Sequence, residues 1–468
     1  MSTARKIIKN IFSLSAAEIA KQGLMLVTTM YLARAISDEG YGIIGFAKSF
    51  TAYFVLFVTL GFDTLGTREV AKDHSKINKY VNSIVSIRII LSIIAYAALA
   101  VIVLLIDKPD TEKFALLIAG IAIFANVFLL NWVFQGLEKM EIPAIRQVIT
   151  SLLNFLGVII FVNNPDHTLL AIGIWVGSLC VNSLWMIIYY IKKYGPIRFD
   201  FDWPFWKELT RSAISIGIIF TIVVIYNNLN MVMLGFMASN AETGYYFAAF
   251  NILLVASVPA TILQGAFFPN FSRRTTHEDR DRLMKKYATL IYMSGTIVTF
   301  SLFTFAEPLV TLAFGSDYVQ TPGTLRILMV GAMFIYMSMI YFSPLIAWGM
   351  ERQVILANLA GGATNIIANF ILIPIWGVYG AATAAALSEF MVLAVLIAIF
   401  YKTMHKLYLG ELIKFIPIAA VSCGAGYLLM QWEINAILSG TITLLIFALL
   451  NFAFKTITIS EIREYLKK

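Results

Sequence analysis

The sequence predicts an all-α polytopic membrane protein of about fourteen transmembrane helices, and three observations carry that reading. Fourteen apolar stretches between Ile11 and Lys455 are each about as long as the ~20 residues a helix needs to cross the hydrocarbon. The composition is 59% hydrophobic with a mean hydropathy of +0.81, beyond what a water-soluble core accommodates. Lys and Arg, finally, crowd into alternate gaps between the stretches. A backbone in lipid must satisfy its own hydrogen bonds, which helices do within one segment.

Taken in order, the spans run over about 11–36, 41–65, 81–106, 114–136, 143–162, 168–191, 211–237, 243–268, 286–306, 324–348, 354–374, 378–401, 411–431 and 436–455. Of the 35 Lys and Arg, Lys108 and Lys113 alone fall in the outer gaps. Lys21, Arg34, Lys48, Arg88 and Arg326 lie inside spans, and the rest flank the inner gaps and the tails. By the positive-inside rule both termini are cytoplasmic, in a multi-pass protein of the inner or plasma membrane. Arg5, Lys6 and Lys9 precede a first span too long for a signal-peptide core, which reads as an uncleaved anchor.

The net charge of +8 is this topological bias and not a nucleic-acid footprint. In loop 269–285, Arg273, Arg274, Arg280 and Arg282 stand beside Glu278, Asp279 and Asp281, and the loop reads as a lipid-facing anchor. Loop 192–210 mixes Lys192, Lys193 and Arg198 with Phe199, Phe201, Trp203, Phe205 and Trp206, the composition of a linker lying on the inner leaflet.

An internal repeat organises the spans. Gly136-Leu137-Glu138-Lys139-Met140-Glu141-Ile142 follows the fourth, and Gly349-Met350-Glu351-Arg352-Gln353-Val354-Ile355 follows the tenth. Glu39-Gly40-Tyr41 opens the second, and Glu242-Thr243-Gly244-Tyr245 the eighth. Both pairs lie six spans apart, an even number, so the halves share orientation about an axis along the membrane normal. The expected domains are a six-helix lobe at 1–192, a cytoplasmic linker at 193–210, a second six-helix lobe at 211–402, and two further helices with a tail at 403–468. Two such lobes suit alternating access.

Charges inside spans are expensive, about 2.5–3.5 kcal/mol at the bilayer centre, and usually face a cavity or a partner. Glu18 and Lys21 share a helical face, as a self-neutralising pair or as cavity groups. Lys48 and Arg88 have no opposite charge one turn away; they either snorkel or serve a cavity. Glu389, among small residues, is a buried structural hydrogen bonder or an ion-coupling carboxylate. Asn227 and Asn230 share a face suited to a polar substrate, or to gluing helices together. Arg34, Arg326 and Asp63 lie near span ends, as interfacial groups, and Asn126 is read as structural. The small cationic excess favours an anion, phosphate above all.

Other chemistries find no footing. There is no phosphate-binding loop of the ATPase type, no loop long enough for a glycosyltransferase site, and no cysteine or histidine cluster for a metal. The acidic residues Asp107, Asp110 and Glu112 read as a solvated loop. No enzyme activity and no cofactor are expected.

The run Gly40-Tyr41-Gly42 through Phe62-Asp63-Thr64-Leu65-Gly66-Thr67-Arg68-Glu69-Val70, with Gly377-Val378-Tyr379-Gly380-Ala381-Ala382, resembles the bacterial oligosaccharide flippases of the polysaccharide transporter family. The six-plus-six-plus-two plan matches their wider superfamily, which includes the multidrug extrusion carriers and the lipid II flippases. The resemblance implies flipping of an undecaprenyl-diphosphate-linked oligosaccharide repeat unit, an O-antigen or related glycan, to the outer leaflet. Lys21, Lys48 and Arg88 would then contact diphosphate, Asn227 and Asn230 sugar hydroxyls, and Glu18 and Glu389 would couple an ion. The implied partners are the lipid-linked oligosaccharide, membrane lipids and a polysaccharide polymerase or export machinery. The alternatives are a sodium- or proton-coupled multidrug or metabolite extrusion antiporter, against which span 7 lacks a carboxylate, and a non-transporting scaffold.

Overall fold

A computed structural model describes residues 3–273, 277–454 and 456, with side chains described from Gln22 onward except 218–220, 222, 223 and 277. The side chains of Glu18 and Lys21 therefore lie outside the described residues. The chain divides into two compact units, Met1–Gly244 and Tyr245–Lys468. Among the described residues the secondary structure is entirely helical, and eleven helices are long and apolar enough to cross a membrane.

In the first unit, α1 (Thr3–Thr59) contains the first expected span and most of the second, turned at Ser37 (φ 66°, ψ 172°). Left-handed backbone at Leu60 and Gly61 ends it, and α2 (Phe62–Lys72) continues in a new direction. After α3 (Ile77–Leu105), the expected fourth span is divided into α4 (Asp110–Gly120), α5 (Ala122–Val127) and α6 (Asn131–Gly136). Broken helices survive in lipid when neighbours take up the freed backbone groups. Here the Ser183 hydroxyl donates to the Ala125 carbonyl at 2.6 Å, and the Thr67 hydroxyl to the Trp132 carbonyl at 3.2 Å. Then come α7 (Glu141–Phe161), α8 (Thr168–Tyr194) and α9 (Trp203–Met237), and α10 (Asn240–Ala256) begins at the unit's end.

Only 195–202 of the expected linker is non-helical, because Asp202 caps α9, accepting from the Phe205 N–H at 3.2 Å. That segment runs as a strap along α3. Asn82 Oδ1 and Ser86 Oγ, one helical turn apart, accept from the backbone N–H groups of Arg198 and Asp200 at 2.9 and 3.0 Å. Ser83 donates to the Asp200 carboxylate at 2.8 Å. The match is geometric: one helical turn advances about 5.4 Å and two extended residues about 6.6 Å. Phe199, Phe201 and Trp203 stay exposed, while Trp206 is buried. Within the first unit α9 packs on α1 and α2.

The repeated motifs meet a shared structural demand, in a register two residues away from the sequence match. Gly42 lies against the backbone of Asn240, and Gly244 against that of Asp38; a Cβ at either would strike a main-chain carbonyl. The contact is reciprocal, residue for residue, as in self-complementary interfaces. The second motif is a helix-ending turn: Glu138 (φ 57°) and Gly349 (φ 77°) are left-handed, and the next N–H returns to the carbonyl five residues back, Lys139 to Phe134 at 2.8 Å and Met350 to Leu345 at 2.9 Å.

In the second unit, α11 (Val258–Arg273), α12 (His277–Thr304) and the short α13 (Ala306–Phe314) precede α14 (Thr321–Ala347). The 54-residue α15 (Glu351–Met404) joins two expected spans through Gly377 (φ 55°, ψ −127°), three residues after Pro374. A core of Tyr287, Tyr336, Tyr341, Phe271 and Phe400 binds these helices; the Tyr336 phenol donates to the Ala256 carbonyl at 2.7 Å and the Tyr287 phenol to the Met339 carbonyl at 3.3 Å. α16 (Leu409–Gln431) and α17 (Ala436–Ala453) add Ile418, Ala419 and Phe447 against α12.

Gly349→Ala should destabilise the protein by about 1 kcal/mol through backbone strain alone, since nothing lies within 4 Å of an added Cβ. Thermal unfolding in detergent checks this against Gly362→Ala, which is equally unobstructed but helical and should not destabilise. Asn82→Ala with Ser86→Ala should release the strap, each lost bond worth roughly 1 kcal/mol, seen as faster hydrogen exchange at the Arg198 and Asp200 amides.

Candidate functional site

After Ser37, α1 carries Lys48, Thr51, Ala52, Val55, Leu56 and Thr59 at helical spacing, so all six share one stripe. That stripe is one wall of a cavity of about 280 Å³. Ala122 and Asn126 of α5, Trp175 of α8 and Val224 of α9 close it. Lys48 stands close to midway between the breaks at Ser37 and Leu60, about 17 Å from each at 1.5 Å per residue, a little over half the thickness of the hydrocarbon core.

The Lys48 ammonium sits over the Trp175 indole, 5.0 Å from its centroid, and pairs with no carboxylate among the described residues. Thr51, 1% exposed, has a hydroxyl without a partner among the described residues. Asn126 spends its amide N–H₂ on the Ala122 carbonyl at 2.8 Å, which leaves its oxygen as an acceptor. A half-buried cation, a buried hydroxyl unpartnered among the described residues and an amide oxygen around an aromatic face form a set with unmet demand. Its chemistry suits an anionic, hydroxyl-bearing ligand.

Arg88 is placed differently. It is fully buried, donates from Nη2 to Asp63 Oδ1 at 2.9 Å, and lies over the Phe62 ring at 5.7 Å. Its opposite charge comes from the preceding helix, 25 residues away, where no inspection of one helical turn finds it. The rest of the Phe62–Val70 motif is a brace: Gly66 lies flat on the Trp132 indole, Thr67 bonds the Trp132 carbonyl, and Glu69 holds Arg68 and Lys72 at 2.9 and 3.0 Å. The motif thus ties α2 to α3 and α6.

A second buried pair corrects the reading of the acidic loop. Glu112, 2% exposed, pairs with Lys108 at 2.9 Å and accepts from Asn240 Nδ2 at 2.9 Å. Its carboxylate is a structural tie between α4 and α10, not a solvated group.

Asn230 is buried and Asn227 exposed on α9, and neither lines the cavity, to which α9 contributes Val224 one turn earlier. Glu389 is half-buried in α15 of the second unit; near it, Ala386 packs directly on Gly331 of α14. Of the predicted site residues, then, Lys48 alone among those described lines this cavity. Sequence reasoning missed Thr51 and Trp175 and set Asn126 aside. The signal for Thr51 was present: Lys48, Thr51 and Thr59 recur on one face of an otherwise apolar span.

A family model described as "Polysaccharide biosynthesis protein" matches residues 7–275. A protein of Escherichia coli (strain K12) named "Putative O-antigen transporter" is 24% identical over 408 residues, 83% of this chain and 95% of its own length. The "Capsular polysaccharide biosynthesis protein CapF" of Staphylococcus aureus is 23% identical over 396 residues, covering 82% of this chain and 97% of that protein. Among solved structures, "Lipid II flippase MurJ, inward closed conformation" superposes with a TM-score of 0.79 over 94% of this chain and 98% of that one, at 15% identity. That last likeness is one of fold.

Asp63→Asn should destabilise by about 2 kcal/mol, the cost of orphaning a buried charged group. Adding Arg88→Met should recover most of the loss, because an apolar side chain of similar reach needs no partner. Melting temperatures of the single and double variants in detergent decide the point.

Proposed function

We infer the function from the premise that this chain belongs to the polysaccharide biosynthesis protein family: it flips undecaprenyl-diphosphate-linked oligosaccharide repeat units from the inner to the outer leaflet by alternating access. The observation that carries the reading is the Lys48 ammonium, at mid-depth in a cavity and without an anionic partner among the described residues. A cation costs too much there unless an anion arrives to meet it, and a lipid-linked diphosphate is such an anion. The glycan would occupy polar space while the isoprenoid tail stays in lipid. The curated relatives' names, which refer to O-antigen transport and capsular polysaccharide biosynthesis, support the same substrate class.

Within this reading, Lys48 and Lys21 contact the diphosphate, while Arg88 maintains the helix brace with Asp63. Asn227 and Asn230 remain candidates for sugar contacts, and Glu18 and Glu389 for ion coupling. The protein crosses the inner membrane fourteen times with both termini cytoplasmic, performs no covalent chemistry, and hands its cargo to a polymerase or export machinery.

A deletion strain complemented with this chain tests the function through surface polysaccharide and the leaflet of the lipid-linked repeat unit. Loss of surface glycan on deletion, with the repeat unit trapped on the inner leaflet, is expected. Normal glycan display with raised sensitivity to cationic drugs would replace the reading with an extrusion antiporter. In the complemented strain Lys48→Gln should cut flipping about tenfold, equivalent to about 1.4 kcal/mol, and Lys48→Arg should retain most of it. Equal loss in both variants would remove the electrostatic role.

A further inference from the structure

We propose that Trp175 reads the sugar of the substrate: its indole face stacks on the first pyranose of the lipid-linked glycan, while Lys48 holds the phosphate attached to that sugar. The proposal rests on the flippase reading above and names which part of the cargo the cavity takes.

Distance comes first. Only two bonds, phosphorus to oxygen and oxygen to the anomeric carbon, separate a phosphate from the sugar it carries. A phosphate held by Lys48 therefore sets its sugar beside the nearest large surface, and that surface is the Trp175 indole, whose centroid is 5.0 Å from the ammonium. The electron-rich face of an indole attracts polarised C–H groups as it attracts cations, and a pyranose offers one face of such groups.

The remaining groups supply what the rim of a sugar needs. Sugar hydroxyls both donate and accept. Thr51 presents a buried hydroxyl with no partner among the described residues and Asn126 an amide oxygen, and buried polar atoms are rarely left unmatched in a working site. Val55 and Val224 keep the rest of the wall apolar. At about 280 Å³ the space lies just below the usual range of ligand pockets, roughly 300–1,000 Å³. It fits one sugar with its phosphate and leaves the distal sugars outside.

Without cargo, the indole face is covered by the Lys48 ammonium. Binding makes the two trade partners at once, the ammonium going to phosphate and the indole to sugar. A bare lipid diphosphate would take the cation but leave the indole unmatched. The site thereby favours loaded carrier over empty carrier, a selection that a purely electrostatic site cannot make.

The test uses the full chain in nanodiscs and native mass spectrometry or thermophoresis with three lipids: a short-chain prenyl diphosphate bearing an N-acetylhexosamine or a hexose, the same prenyl diphosphate without sugar, and phosphatidylglycerol. Wild type should prefer a glycosylated form over the bare diphosphate by about tenfold, with phosphatidylglycerol weakest. Trp175→Leu, which keeps the bulk apolar, should bring that ratio close to one with little change for the bare diphosphate. Trp175→Phe should keep most of it, and Lys48→Gln should weaken both diphosphates alike. Equal losses for both diphosphates in Trp175→Leu, or no preference in wild type, would overturn the sugar role. Failure of wild type to bind either diphosphate above phosphatidylglycerol would instead overturn the flippase reading, and this proposal with it.

Discussion

In hydrocarbon there is no water to take up a stray hydrogen-bonding group, so every donor, acceptor and charge must find its partner inside the protein. That constraint shapes this chain at each level. Hydroxyls within helices return to carbonyls one turn back, as Thr28 does to Leu24 at 2.6 Å and Thr299 to Gly295 at 2.7 Å. Where helices break, neighbours intervene, as Ser183 does at Ala125.

The same constraint separates structural charges from functional ones. Arg88 and Glu112 are both deeply buried, and both are answered by a specific opposite charge, Asp63 and Lys108 respectively. Each pair joins helices or steadies the end of one. Lys48 differs because its only described companion is the Trp175 ring, a weaker partner than a carboxylate. An ammonium held by an aromatic face is held loosely enough to be handed to an anion. Arg88, already bonded to Asp63, has no such freedom.

Small residues place these groups. Gly66 lets Trp132 close over the brace, and Gly42 and Gly244 bring two backbones together where a methyl group would hold them apart. Close approach replaces the hydrophobic driving force that lipid cannot supply between helices. The cavity beside Lys48 exists because α5, α8 and α9 reach α1 along a stripe whose inner members are small or β-branched: Thr51, Ala52 and Val55.

The sequence by itself determined the helical membrane class, because span length and the periodic placement of basic loops are local properties set by the thickness and charge asymmetry of a bilayer. It also located the turns near Ser37 and Gly377, which interrupt apolar runs too long for one crossing. It marked Lys48 as costly, since a charge amid an apolar run is visible in one dimension. Only the tertiary structure decided which charges were already answered, because Asp63 reaches Arg88 across 25 residues and Asn240 reaches Glu112 across 128. Trp175 is one of eight tryptophans, and nothing local distinguishes it. Its role follows from α8 packing on α1, a pairing that hydropathy cannot encode because every helix in lipid carries much the same apolar surface.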